Sequence, residues 1–253
     1  MSLLITGGAS GIGAETARRA AERGYQIAIN YRSREKQAQV LIAALAAKGA
    51  KVIAIPGDVS REEDIARLFD TAEAALGPVT HLVNSAGIDG GSARVEDFDA
   101  GALAELFTVN TIGLMLCCRE AVRRMSTRRG GQGGVIVNVS SMAGTIGGRP
   151  GKSHYAASKA AVDSFSMGFA KEVAKEGIRV VSVRPGMIET EMTEKALADV
   201  VVRSDIESTI AMGRVGQAAE IANAILWLLS DEASFISGVT LDASGGGFVF
   251  GKQ

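Results

Sequence analysis

Tyr155 and Lys159 stand four residues apart in the run Tyr155-Ala-Ala-Ser-Lys159. On a helix, that spacing puts both side chains on one side. A lysine cation near a phenol favours the phenolate. At ~4 Å and an effective dielectric near 20 the attraction is about 4 kcal/mol, an upper bound of roughly three pKa units. The spacing therefore predicts a phenol drawn from about 10 toward neutrality, suited to moving a proton on or off an alcohol or carbonyl oxygen. Ser141 ends the run Val135-Ile-Val-Asn-Val-Ser-Ser, at what reads as the carboxyl end of a central strand. Ligands of open α/β sheets bind outside such ends, and a hydroxyl there can donate to an oxygen as charge develops on it. Taken singly, the pair also reads as a core tyrosine beside a surface lysine. Ser140 and Ser141 also read as turn residues.

A second constellation concerns phosphate. Thr6-Gly7-Gly8-Ala9-Ser10-Gly11-Ile12-Gly13 follows an apolar run and opens a helical one. A helix N-terminus presents unpaired N–H groups and the positive end of a dipole, and glycines let the backbone approach a pyrophosphate. Gly7, Ser10, Gly11, Ile12 and Gly13 are thus candidates for holding a dinucleotide. In such proteins the end of the second strand meets the adenosine ribose. An acidic residue there accepts from the 2'-hydroxyl and repels a 2'-phosphate. This chain has Asn30, Tyr31, Arg32, Ser33 and Arg34, with no carboxylate before Glu35. The Arg32 guanidinium and Ser33 hydroxyl suit phosphate, which favours NADP(H) over NAD(H). The competing reading makes Arg32 and Arg34 a solvated surface pair.

The elements that must position these groups alternate. Apolar strand runs fall at Leu3–Thr6, Gln26–Asn30, Lys51–Pro56, His81–Asn84, Gly134–Val139, Arg179–Val183 and Val239–Asp242. Helical stretches fall near Ile12–Arg23, Glu35–Lys48, Arg61–Leu76, Gly101–Arg124, Tyr155–Glu176 and Ala218–Ser230. The order predicts one doubly wound α/β (Rossmann) domain over 1–253, a seven-stranded parallel sheet with helices on both faces. Four prolines and no Ser/Gly-rich linker give no domain boundary. The long connection Met187–Gly216, with a helical patch at Glu194–Arg203, reads as a substrate lid.

Composition narrows the partners. A net charge of -1 with 47% hydrophobic and 22% charged residues excludes a disordered chain and gives no push toward nucleic acid. No apolar run approaches the ~20 residues of a membrane span, and no signal peptide is evident. Cys117 and Cys118 are adjacent, which excludes a disulfide framework and points to a reducing, cytoplasmic setting. His81 and His154 lack metal-ligand spacing, so no metal site is expected. His154 reads as a surface residue or part of a substrate mouth. Arg123, Arg124, Arg128 and Arg129 form a basic cluster, read by default as a solvated helix end.

Together these motifs resemble the short-chain dehydrogenase/reductase family, in its branch of about 250 residues, over essentially the whole chain. Thr6-Gly7-x-x-x-Gly11-Ile12-Gly13 is similar to the family's cofactor turn. Asn84-Ser85-Ala86-Gly87 is similar to its Asn-Asn-Ala-Gly motif, with Ser85 in place of the second Asn. The resemblance implies that Asp58, with Val59 beside it, holds the adenine. It implies that Asn84, Ala86, Gly87, Pro185, Gly186, Ile188 and Thr190 contact the cofactor, the last four at the nicotinamide. It makes Asn110, Ser141, Tyr155 and Lys159 a catalytic tetrad. Tyr155 would transfer the proton, Lys159 would lower its pKa and bind the nicotinamide ribose, Ser141 would polarise the carbonyl, and Asn110 would bind a water linking Lys159 to solvent. Without the resemblance, Asn110 reads as a helix-kinking amide. The implied function is hydride transfer between nicotinamide and a small-molecule carbonyl or secondary alcohol, by a homotetramer. The branches most similar are 3-oxoacyl carrier-protein reductases and glucose-type sugar dehydrogenases. Docking of an acyl carrier protein is opposed by Glu176, which stands where a second basic residue is expected. A dinucleotide-sensing module is the alternative from another class.

Overall fold

The computed structural model describes residues 1–247. Strands β1 (Ser2–Thr6), β2 (Gln26–Tyr31) and β3 (Val52–Pro56) alternate with helices α1 (Gly11–Glu22), α2 (Glu35–Ala46) and α3 (Glu62–Leu76). Then come β4 (Val79–Asn84), α4 (Ala100–Phe107), α5 (Leu114–Met125), β5 (Gly134–Val139), α6 (Ala143–Ile146) and α7 (Ser153–Val173). The chain continues through β6 (Ile178–Pro185), β7 (Ile188–Glu189), α8 (Glu194–Leu197), α9 (Val200–Ser208), β8 (Gly216–Gln217), α10 (Ala218–Leu229) and β9 (Thr240–Ala243).

The main sheet runs β3-β2-β1-β4-β5-β6-β9, and every pairing in it is parallel. The chain winds outward from β1 to β3, then returns to pair β4 on the other side of β1. The β1/β4 junction is therefore the switch point, where the loops at the carboxyl ends diverge and leave a crevice. Alternation along each strand feeds two cores. Ile5, Ile29, Val137 and Val181 join α1, α2 and α10 on one face. Leu4, Leu82, Ile136 and Val180 join α3, α5 and α7 on the other. All seven expected strands and the doubly wound order are present.

Three features depart from the sequence expectation. The expected helix Gly101–Arg124 is split by a π-helical segment, Thr108–Gly113, between α4 and α5. There Gly113 packs so closely that an added Cβ would lie 2.3 Å from the Val59 carbonyl oxygen. The run Ala100–Met125 is also long and apolar enough, by length and composition, to cross a membrane. Its apolar side chains Leu114, Cys117, Cys118, Ala121 and Met125 are spent on the core beneath the sheet. Finally, β7 and β8 pair through Ile188↔Gly216 and Glu189↔Gln217. This two-stranded ladder ties together the two ends of the 187–216 segment, which carries α8 and α9.

Candidate active site

The carboxyl ends of β1, β2, β3 and β4 are fastened by side chains. The Thr6 hydroxyl accepts from the Ser85 and Ala86 amides, both at 3.2 Å, locking β1 to the turn after β4. Asn30 Nδ2 donates to the Gly57 carbonyl at 2.8 Å, and its Oδ1 accepts from the Gly7 amide at 3.4 Å. One amide thus joins the first glycine turn to the ends of β2 and β3. Gly7, at φ 64°, lies so near Ala86 that an added Cβ would sit 2.8 Å from its Cα.

These clamps shape a cleft of about 410 Å³. Of the expected residues, Gly7, Ser10, Gly11, Ile12, Asn30, Tyr31, Arg32, Ser33, Asp58, Val59, Ala86, Gly87, Ser141, Tyr155, Lys159, Pro185, Gly186, Ile188 and Thr190 line it. Gly11, at φ 50°, leaves the α1 entrance open: an added Cβ would find nothing nearer than Thr190 Cγ2 at 3.4 Å. Helix α1 has no side-chain cap and no acidic residue in its first turn. Its first amides and dipole therefore face the cleft uncapped, which fits a pyrophosphate.

Gly13, Asn84 and Asn110 are not in the lining. A Cβ on Gly13 would meet the Gly7 carbonyl oxygen at 2.5 Å, so this glycine serves the turn's own packing. Asn84 is buried and donates to Asn138 Oδ1 at 2.9 Å, while Asn138 donates to Ser166 Oγ at 2.8 Å. This relay ties β4 to β5 and α7. Asn110, on the π-helical segment, accepts from the Ile88 amide at 2.8 Å and donates to the Ile88 carbonyl at 2.9 Å and to Ser158 Oγ at 3.2 Å. It grips the cleft wall from behind. Arg34, Ile88, Glu191, Met192 and Thr193, not among the expected cofactor residues, also line the cleft. The first adjoins the Arg32 run and the last three continue the Thr190 segment, which is the signal that extends the motif.

At the adenosine end the arginines have loose, exposed partners. Arg32 lies 3.8 Å from both Asp58 and Glu105, and Arg34 lies 3.9 Å from Glu191. Such pairs are individually weak, so the guanidiniums stay available to a stronger anion. Asp58 both lines the cleft and caps a turn, accepting from the Ser60 amide at 2.9 Å.

At the other end, β5 and α7 bring Ser141, Tyr155 and Lys159 together. The Ser141 hydroxyl accepts from the Ala143 amide at 3.1 Å and lies beside the Tyr155 phenol, where it favours the phenolate. Lys159 Nζ donates to the Val139 carbonyl at 2.9 Å and lies 6.0 Å from the Tyr155 ring centroid. Burial pushes the Lys159 ammonium down to about 8. Against the expectation that lysine draws the phenol toward neutrality, burial raises Tyr155 above its ordinary 10, with the Ser141 hydroxyl opposing it. The ammonium is itself turned onto the strand carbonyl.

Two remaining expectations are also settled by position. His154 is buried, edge-on to Phe98 with centroids 5.0 Å apart, and its Nε2 lies 3.3 Å from the Gly90 carbonyl oxygen. It is neither a surface residue nor part of the cleft. In the basic cluster, Arg123 and Arg124 bond Glu120 at 2.7 and 2.5 Å, and Arg128 bonds Glu176 at 3.1 Å. Among the described residues, no group of three His, Cys, Asp or Glu side chains is arranged to hold a metal ion.

The chain is similar to known proteins over nearly its whole length. A family model described as "Enoyl-(Acyl carrier protein) reductase" matches residues 7–247. The chain is 43% identical over 244 residues to the uncharacterized oxidoreductase YgfF of Escherichia coli, covering 96% of this chain and 98% of YgfF. It is 36% identical to 3beta-hydroxysteroid dehydrogenase 1 of Eggerthella lenta, covering 99% and 97% of the two chains. The crystal structure of a blue fluorescent protein from a metagenomic library in complex with NADPH superposes with a TM-score of 0.89 at 28% identity, covering 97% of this chain and 96% of that one. The chain belongs to the short-chain dehydrogenase/reductase family. It is an oxidoreductase of alcohol and carbonyl groups that binds a nicotinamide cofactor.

The phenol's environment makes a prediction. In the protein without added cofactor, a spectrophotometric pH titration, with Tyr155 assigned by difference from Tyr155→Phe, places its ionisation above 10. Ser141→Ala moves it higher still, since the serine hydroxyl favours the phenolate. A midpoint below 10 would mean that the lysine charge outweighs burial.

Proposed function

We propose that the chain is an NADP(H)-dependent oxidoreductase that interconverts a carbonyl compound and a secondary alcohol, with Tyr155 as the general acid and base. What carries this reading is one cleft with two ends: Arg32 and Ser33 at the ribose end, and Ser141, Tyr155 and Lys159 at the other. The nicotinamide, when bound, supplies or accepts the hydride. Gly11 and the α1 amides hold the pyrophosphate. Arg32 and Ser33 meet the 2'-phosphate, aided by the relative solved with NADPH as precedent.

A phenol held protonated at neutral pH is poised as a donor. Ser141 and Tyr155 both offer an O–H toward one substrate oxygen. As that oxygen gains negative charge, Ser141 stabilises it and Tyr155 delivers its proton. The phenolate left behind is met by the Lys159 cation, one helical turn away, once its ammonium turns from the Val139 carbonyl toward it. Oxidation runs the same path backward. Asn110 acts from behind, fixing Ile88 in the wall. A sensor would need the phosphate cradle without this proton-moving trio. The Arg128–Glu176 pair neutralises the surface a carrier protein would use, which favours a free small-molecule substrate.

The decisive assay follows NADPH consumption across a panel of ketones and aldehydes. Tyr155→Phe loses about 10²–10⁴-fold in kcat with cofactor affinity nearly unchanged. Turnover of this variant at the parent rate would refute the proton-transfer role.

The assembly we propose is a homotetramer that packs the helices around Leu103–Met125 and Tyr155–Glu176 against their counterparts. Ile112 and Met167 leave apolar side chains exposed on those stretches. Sedimentation gives about four times the 26.2 kDa chain mass; a species near 26.2 kDa at micromolar protein would contradict it.

A further inference from the structure

Asp163 lies one turn beyond Lys159 on α7, so Tyr155, Lys159 and Asp163 succeed one another four residues apart along one helix side. Asp163 is 4% exposed. Its Oδ2 accepts from Arg184 Nε at 2.8 Å, whereas its Oδ1 is buried with no hydrogen-bond partner. Arg184 comes from β6, and its Nη1 also reaches Asp242 of β9 at 3.2 Å. A buried carboxylate oxygen left unbonded is costly, and an apolar side chain would fill the position without that penalty. What the position gains is charge.

The balance around it is specific. Arg184 is divided between two carboxylates, so Arg184, Asp163 and Asp242 together leave one negative charge. Lys159 completes a neutral set of four. The other groups packed on the ammonium are uncharged. The end of β5 gives the Val139 carbonyl, and the turn after β4 gives Gly87, whose added Cβ would lie 3.6 Å from Nζ. The π-helical segment gives Asn110, whose Oδ1 abuts the same glycine. Burial works to strip the lysine of its proton, and Asp163 is the charge that opposes this.

We propose that Asp163 is a positioning residue that acts through Lys159: its buried charge keeps the ammonium cationic in a dry site, ready to face the phenolate. This rests on the reading of Lys159 given above. It adds a third member to the proton-handling face of α7 and assigns a purpose to the Arg184–Asp242 arm, which divides the guanidinium and leaves Asp163 partly unneutralised.

The test is the titration of Lys159 itself. Protein labelled with ¹³C at lysine Cε is titrated by NMR, with the Lys159 signal identified by its loss in Lys159→Met. Asp163→Asn lowers the midpoint by about one pH unit. Arg184→Gln, which removes a competing cation, raises it. Asp242→Asn, which lets Arg184 neutralise Asp163 more fully, lowers it by a smaller amount and serves if Asp163→Asn does not fold. A purely structural Asp163 would instead loosen and hydrate the site in every variant, raising all three midpoints toward the ordinary lysine value. An unmoved or raised midpoint in Asp163→Asn, or in Asp242→Asn if only that variant folds, overturns the proposal. The readout needs no turnover, so a protein that reduces no carbonyl would fail the functional reading without deciding this one.

Discussion

A lysine ammonium taken out of water is the most demanding group in this molecule, and much of the site is arranged around it. Lys159 is 5% exposed and spends a hydrogen bond on the Val139 carbonyl at the end of β5. Desolvating such a cation costs several kcal/mol unless charge and dipoles compensate. The strand end and the helix must therefore be held in register. Ser140 Oγ donates to the Lys159 carbonyl at 3.1 Å, and the Asn84–Asn138–Ser166 relay binds the same helix to β4 and β5. These bonds have no catalytic atom in them. They keep the nitrogen, the phenol and the Ser141 hydroxyl at one corner of the cleft.

The opposite wall obeys a different constraint. Parallel strands that end at a switch point leave backbone groups to be satisfied by something other than the sheet. Thr6 does this for the turn after β4, Asn30 for the glycine turn and Asn110 for Ile88. The π-helical segment is what lets Asn110 reach: it sets the amide against Ile88 while Gly113 closes on the Val59 carbonyl. A regular helix from Ala100 to Met125 would present its side chains on a different phase. One irregular turn thus converts a core helix into the back wall of the cleft.

The legible part of the protein was local. A glycine turn between strand and helix, a tyrosine four residues before a lysine, a serine closing an apolar run, and an arginine after the second strand each carry their chemistry in spacing alone. The seven strands were legible for the same reason, as apolar runs between helical stretches. What escaped depends on the third dimension. Burial raises the Tyr155 phenol, while the Lys159 amine is spent on a strand carbonyl. Asn84 and Gly13 match a motif yet serve packing behind the surface. His154 lies between Phe98 and Gly90, contacts that come from a loop far away in sequence. The β7–β8 ladder joins residues too few and too distant to make a pattern.

The proposed function requires the cleft to be a nicotinamide-dinucleotide site whose ribose end reads a 2'-phosphate. Calorimetric titration of the protein with NADPH and, separately, with NADH tests that most directly. Saturable binding with NADPH the tighter of the two is the result predicted by Arg32 and Ser33. Tighter binding of NADH would contradict the phosphate reading at that end, and binding of neither would contradict the cofactor site itself.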